Sequence, residues 1–476
     1  MSLAPPPYLS SIQNNIRARP IPWDGAVRAG NLSEEQLKTI KSVDKVRKEQ
    51  RKQTIESDPG TYGTLLAGGD SSPSVLEKAQ KRQDIIQYIL VLATDLVTDV
   101  SALANTILER PDPYKQYLAL LASSNNPEDP VPLLAATFLT NLIAYSLTAS
   151  SKPAKRDSDA LPKLYSYLSK LVQAQDSGLQ DIGVQHMSTV LRSKQAKELF
   201  WKQKKETTAP LFDILRKAAG AAKDSDSTLW SGASSIRSAD TRFGGGVGLQ
   251  LMYHVLLVIW QLSFEGETVG AGLEEDEEVV PLYVQLLRMS PKEKTTRLLL
   301  STLNNLLSTN KNTLIPAATT ARLPALISNL GGRHLTDEDA LEDLQALDKM
   351  LDEYTKGQTT FDEYADEVQS GHLRWTPPHR NPTFWRENAK KIMENKELPK
   401  KLAEITGKSW DTDKKVLAIA CNDIGNLVRE VPEHRSTLER LGLKARVMEL
   451  MTDSDEQVRW ESLKAVGEWM RYSMER

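Results

Sequence analysis

Apolar residues recur along this chain at helical spacing. Val416, Ile419, Ala420, Ile424, Leu427, Val428 and Val431 fall on one face at i, i+3, i+4 and i+7, and Leu341, Leu344, Leu347 and Leu351 repeat the pattern. No convincing series of alternating strands interrupts it. "NLSEEQLKTI" opens with a capping box, because Ser33 can accept from the backbone three residues on while Gln36 reaches back. This predicts a helix from Glu34 running into the basic stretch "DKVRKEQRKQ".

Similar helical units recur: "PVPLLAATFLTNLIAYSL", "VLLVIWQLSF", "KTTRLLLSTLNNLLST" and "KKVLAIACNDIGNLVREV". Phe264 and Asn304 lie 40 residues apart, within the roughly 40 to 47 of armadillo and HEAT repeats. Segments such as "VVPLYVQLLRM", "RLPALISNL" and "KARVMELM" supply a second apolar face. Such units bury their faces only by stacking on neighbours, so the pattern predicts an all-α solenoid of armadillo/HEAT-like repeats.

Three stretches interrupt the periodicity. "SSKPAKRDSDALP", from Ser151 to Pro162, reads as a polar interhelical loop. Ala221 to Gly248, rich in Ser and Gly, reads as a long mobile insertion. Its glycines, Gly244, Gly245, Gly246 and Gly248 followed by Leu249, are out of dinucleotide-binding register. The third, "EYTKGQTTFDEY", follows a helix expected to end near Leu351. It places a boundary close to Gly357, with Lys356, Gly357 and Gln358 as a candidate hinge between domains 1–356 and 357–476.

Composition narrows the function classes. A chain of 476 residues exceeds the usual growth of one core, which suits two domains or a repeat array. Lys+Arg 60 against Asp+Glu 63 leaves a net charge of -3, with no global attraction for nucleic acid or anionic lipid. A single cysteine, Cys421 within an apolar run, excludes an internal disulfide and fits a buried residue in a reducing compartment. The N-terminal "MSLAPPPYLSSIQNN" has no basic region followed by an apolar one, as a secretory signal would. "LMYHVLLVIWQL", Leu251 to Leu262, is too short to span a bilayer and reads as a buried core helix, so membrane association is expected through a partner.

Candidate chemistry is sparse. The six histidines show no paired metal spacing, and His372 and His379 in "GHLRWTPPHR" lack a nearby cysteine. His254 reads as a hydrogen-bonded core residue. Neither a G-x-S-x-G elbow nor kinase-type "HRD" or "DFG" occurs. "EEDEE", Glu274 to Glu278, reads as a solvated loop, and "KQAKELFWKQKK" with Phe200 and Trp201 as an amphipathic solenoid helix rather than a nucleic-acid patch. "ITGKSW", Ile405 to Trp410, carries the Gly-Lys-Ser of a P-loop, but Leu402 stands where its first glycine belongs and no strand precedes it. It reads instead as an interhelical turn, with Gly407 allowing a sharp reversal and Ser409 or Asp411 as caps before a helix from about Lys414. Asp423 falls on the inward face of that helix. Buried there, it and Asn422 are expected to bond neighbouring backbone groups and lock repeats together. No catalytic, cofactor or metal site is assigned.

Importin-type receptors bind peptides through a Trp and Asn ladder, from which this chain departs: Trp260 is followed by Phe264 where asparagine would stand, and Asn141 is preceded by Thr137 where tryptophan would stand. "NNIRARPIPWDGAVRAGNLSEEQL", "TTFDEYADEV", "LRWTPPHRNPTFWRENAKKI" and "CNDIGNLVREVPEHRSTLERLGLKARVMELMTDSDEQVRWESLKAV" resemble, in collinear order over nearly the whole chain, the H-subunit family of the eukaryotic vacuolar proton-pumping ATPase. The Trp375-to-His379 segment is the most diagnostic, and Trp375, Pro377, Pro378, His379, Asn422 and Asp423 are taken as structural. The resemblance implies a non-catalytic regulatory subunit without cofactors. Its partners would be peripheral stalk subunits, catalytic-sector subunits and the cytosolic part of the membrane-sector stator subunit. It implies a place on the cytosolic face of vacuolar and other endomembranes, without insertion or nucleic-acid binding. It also implies a role in ATP-driven pumping by the assembled complex and in silencing ATP hydrolysis by the detached soluble sector. The turn of Thr406, Gly407, Lys408, Ser409, Trp410, Asp411, Thr412 and Asp413 corresponds by position to a connection linked to that silencing. Two alternatives are an armadillo-type adaptor for trafficking cargo peptides and a nucleotide-handling enzyme using Lys408 and Ser409.

Overall fold

A computed structural model of the chain describes residues 5–69, 72–149, 155–220, 247–290, 292–333, 335–357, 359–410 and 413–474. Among the described residues every regular element is a helix, and successive helices stack through apolar faces as an α-solenoid. The insertion expected from Ala221 lies outside the described residues as far as 246, as do His334, Gln358, Asp411 and Thr412. The chain forms two compact units, one reaching Leu215 and taking up Val247–Glu265, the other holding Gly266 onward.

In the first unit the Ser33 capping box forms as expected, Gln36 N bonding Ser33 Oγ at 3.2 Å and Ser33 N bonding Gln36 Oε1 at 3.1 Å. The helix stops at Val43, however. Lys45 takes a left-handed φ of 55°, and the basic stretch forms a separate helix, Lys48–Ser57. The longest apolar helix here is Pro130–Ala149, long and apolar enough by length and composition to cross a membrane, yet 72% of that stretch is buried inside the fold. Two of its buried hydroxyls are satisfied within the fold: Thr137 Oγ1 donates to Leu133 O of its own helix at 2.9 Å, and Ser146 Oγ to Asp157 Oδ2 at 2.9 Å.

The loop expected from Ser151 to Pro162 is mostly helix. Lys155–Val172 begins within it and carries Pro162 inside. The next helix, Ser177–Val190, approaches so closely that a Cβ on Gly183 would meet Leu168 O at 2.9 Å. Leu249–Ser263 packs on it in turn as a buried core helix. His254 is the hydrogen-bonded core residue expected, its Nδ1 lying 2.5 Å from Asp181 Oδ1. Gln185 Nε2 donates to the second carboxylate oxygen at 3.0 Å. Lys194–Lys202 is the amphipathic helix anticipated, with Phe200 buried edge-on to Tyr165 and Lys204 over the Trp201 ring.

In the second unit "EEDEE" is not a solvated loop. Glu274 to Glu277 complete the helix Gly266–Glu277, and Glu278, at φ 50°, turns the chain into Val279–Met289. Two of these carboxylates are used internally: Glu274 Oε2 accepts from Val280 N at 2.9 Å, and Glu277 is buried against Arg216, while Glu275 and Asp276 are exposed. The helix expected to end near Leu351 runs on as Glu338–Gly357. Its extra turns are held by Thr355 Oγ1 donating to Leu351 O at 2.8 Å and by Lys356 paired with Asp352 at 2.5 Å.

The C-terminal helices share one core. Lys414–Glu430 is buried on most of its circumference, with Val416, Ile419, Ala420, Ile424, Leu427 and Val428 all inside. It sits between Glu397–Gly407, Pro382–Glu394 and Glu456–Met474. Gly425 allows the closest of these approaches, since a Cβ there would meet Ala465 Cα at 3.1 Å. Cys421 is buried in the same core, and burial pushes its thiol up to about 12.

Candidate functional site

The residues marked by sequence gather at two places in the second unit. The first is the turn after Glu397–Gly407. Thr406 is buried, its Oγ1 donating to Leu402 O at 3.0 Å and its carbonyl accepting from Arg446 Nε at 2.7 Å. Gly407 is still helical, with no left-handed φ and no atom within 4 Å of its hypothetical Cβ. The sharp reversal expected there is therefore absent, and the chain departs from the helix at Lys408 in extended conformation. Gly407, Lys408 and Ser409 are exposed. Trp410 then returns to the fold: its Nε1 donates to Ile405 O at 2.8 Å and its ring packs on the core and edge-on to His372.

The Lys414–Glu430 helix starts from Asp413, whose side chain makes no capping bond, and Ser409 is not its cap. Asp411 cannot be judged as one, lying outside the described residues. The triplet Gly407 to Ser409 thus ends a helix, where a P-loop would leave a strand and open a helix whose amides face the phosphates. Its geometry is an exposed crest between a buried anchor, Thr406, and a half-buried one, Trp410.

The second place is the Trp375-to-His379 segment. Thr376 precedes the short helix Pro377–Arg380, with Pro377 at a first-turn position where no amide is missed. Trp375 lies under the Arg380 guanidinium, 4.9 Å from centroid to charge. Pro378 and His379 are buried. His379 Nδ1 bonds Asp423 at 2.8 and 2.9 Å, and its Nε2 faces Glu367 Oε1 at 3.3 Å. Desolvation pulls the ring down, but Asp423 and then Glu367 outweigh it and raise its pKa to about 10. Both ring nitrogens thus face carboxylates, which favour the protonated ring. Among the described residues no cluster of His, Cys, Asp or Glu forms a metal site.

Asp423 accordingly bonds an imidazole, not the backbone groups expected from sequence. Asn422 does bond a carbonyl, its Nδ2 donating to His379 O at 3.0 Å. Trp385 Nε1 reaches the same oxygen at 3.4 Å, and Tyr364 packs against the His379 and Trp385 rings. Sequence reasoning missed Glu367, which also accepts from Thr376 Oγ1 at 2.7 Å and from the Arg374 amide. The signal was present: Glu367 follows Tyr364 by three positions, on the apolar face of Thr360–Ser370. Of the candidate hinge, Lys356 and Gly357 form the last turn of their helix, and Gln358 lies outside the described residues.

Two family models, both described as the V-ATPase H subunit, match residues 7–351 and 357–474. The chain belongs to the V-ATPase H-subunit family. Similar proteins include the V-type proton ATPase H subunit of Drosophila melanogaster, 29% identical over 97% of this chain and 89% of that one. Another, the probable V-type proton ATPase H subunit of Oryza sativa subsp. japonica, is 27% identical over 95% and 94%. Among solved structures a designed armadillo repeat protein is similar at 14% identity and a TM-score of 0.27, over 64% of this chain and 99% of that one. The second of the two family matches contains both the exposed crest and the His379 cluster, and begins at Gly357.

Proposed function

We propose that this chain is a non-catalytic regulatory subunit of the V-type proton ATPase. It docks on a peripheral stalk, is required for ATP-driven pumping by the assembled complex, and inhibits ATP hydrolysis when the soluble sector detaches. The observation that carries this reading is the pair of H-subunit matches, which together span nearly the whole chain.

The physical argument is mechanical. A rotary motor needs its stationary parts held fixed, and stacked repeats offer a long, stiff surface for that purpose. A domain of residues 1–356 takes the bracing role, and 357–476 the regulatory one, with Lys356, Gly357 and Gln358 between them. The crest at Gly407 to Ser409 is suited to contact because its anchors hold it in place while its side chains face solvent. Partners are the peripheral stalk, the catalytic sector and the cytosolic part of the membrane-sector stator subunit, all met on the cytosolic face of endomembranes.

Adding the purified chain to detached ATPase sector is expected to lower its hydrolysis rate, and an unchanged rate overturns the reading. Replacing Thr406 to Asp413 wholesale would be a poor test of the turn, since it deletes the contacts by which Thr406 and Trp410 hold to the fold. Exchanging only Gly407 to Ser409 leaves those contacts in place.

A further inference from the structure

An open groove of about 660 Å³ lies among the C-terminal helices, and its walls include none of the crest residues. Asn422 and Asn426 of Lys414–Glu430 line it, one helical turn apart on one face. Trp375 lines it from the chain just before Pro377–Arg380, and Trp460 from Glu456–Met474.

Hydrogen bonds fix how the two amides are turned. Asn422 Nδ2 donates to His379 O at 3.0 Å, and a carbonyl can only accept, so Asn422 Oδ1 is turned away from that bond. Asn426 is held in the opposite sense: its Oδ1 accepts from Arg429 Nη2 at 2.8 Å, and a guanidinium can only donate. Among the described residues no group bonds Asn422 Oδ1 or Asn426 Nδ2, and neither atom is sealed from solvent. The groove therefore presents an acceptor and, about 6 Å further along the helix, a donor.

That spacing matches an extended polypeptide, whose main-chain groups on one side recur about every 6.6 Å. Its N–H suits Asn422 Oδ1 and its C=O suits Asn426 Nδ2, whatever the side chains. Net charge does not select the occupant. Lys464 pairs with Glu461 at 3.0 Å, Arg429 with Glu430 at 2.8 Å and His379 with Asp423 at 2.8 Å, which leaves Arg380 and Glu456, one of each sign. The tryptophans are more selective. Arg380 lies 4.9 Å from the centre of the Trp375 ring and Lys464 6.0 Å from that of Trp460, so an incoming lysine or arginine meets like charge there. Trp460 is 59% exposed, and an apolar side chain laid against it removes that surface from water.

We propose that this groove binds an extended, non-basic peptide segment of a partner protein by its main chain. Asn422 accepts an N–H, Asn426 donates to a carbonyl, and an apolar side chain of the segment lies against Trp460. The inference does not rest on the role proposed above for the ATPase, and a negative result here leaves the hydrolysis assay to decide that role by itself.

The test is fluorescence polarisation of the full chain with a labelled, end-capped peptide in which leucine and serine alternate over eight positions. Saturable binding is expected. Methylating the peptide's main-chain nitrogens, or replacing its leucines by lysine, is expected to weaken binding about tenfold or more. Asn426→Asp keeps the oxygen that meets Arg429 but exchanges the donor for an acceptor, so a loss of about tenfold is expected. Trp460→Ser should weaken binding similarly, and as an exposed position it keeps the measurement open if Asn426→Asp fails to fold. Leu463→Ala, on the same helix at 51% exposure but outside the groove, is expected to bind as the native chain does. The proposal is overturned by absent or non-saturable binding, by equal binding of the methylated or the lysine peptide, by equal weakening in Leu463→Ala, or by binding that neither Asn426→Asp nor Trp460→Ser alters.

Discussion

His379 Nδ1 lies 2.8 Å from Asp423 Oδ2, and neither side chain is reached by solvent. Glu367 faces the other ring nitrogen, and Tyr364 packs on the ring. Desolvation opposes the charge on His379, but the two carboxylates prevail and lift its pKa from 6.5 to about 10. A raised basic group stabilises the fold fully below its unfolded pKa and loses that contribution as pH rises through the folded one. Thermal melts of the full chain are therefore expected to fall between pH 6.5 and 10. His379→Gln should flatten that slope, and a slope unchanged by the substitution would assign it to other groups.

Removing one partner of a buried ion pair leaves the other uncompensated, at a cost of about 3–5 kcal/mol. Asp423→Ala is expected to destabilise the chain by that order in urea unfolding, and Asp423→Asn by less, because an amide oxygen still accepts from the ring. Equal losses in both variants would mean that packing rather than charge is at stake.

The glycines predict opposite signs. Gly425→Ala places a methyl against Ala465 Cα at 3.1 Å and should cost about 1–3 kcal/mol. Gly407→Ala meets open space in a helical backbone and should gain about 0.5–1 kcal/mol. Unfolding midpoints of the two variants displaced in the same direction would contradict this account.

At the turn, Trp410→Ala removes the bond to Ile405 and the packing on the core, so a loss of about 1–3 kcal/mol is expected. Lys408→Ala should leave stability within about 0.5 kcal/mol, as exposed substitutions do. If the crest inhibits the detached motor, Lys408→Ala weakens inhibition at unchanged stability. Inhibition that falls only in Trp410→Ala, in step with unfolding, would remove the crest from the mechanism.

Helices were readable wherever one face is buried, as in Lys414–Glu430, because burial imposes the helical period directly on the sequence. Charge runs misled where their partners lie far away in the chain. Glu277 is helical and buried because Arg216 meets it, 61 residues distant. The inward position of Asp423 was legible, but its bond to His379 spans 44 residues and leaves no local trace. Gly407 misled for a different reason: glycine suggests a turn, yet here the helix continues through it and gives way to extended chain at Lys408.

Cys421 offers a practical consequence. It is the chain's single cysteine, enclosed in the core with its thiol raised to about 12, so almost none of it is thiolate at neutral pH and reagents cannot reach it. The native chain is in effect blank toward maleimide dyes. A cysteine placed at Ser409 would take up such a label alone, and a second at Lys356 would complete a donor-acceptor pair, so the turn could be followed by fluorescence without first mutating away any native thiol.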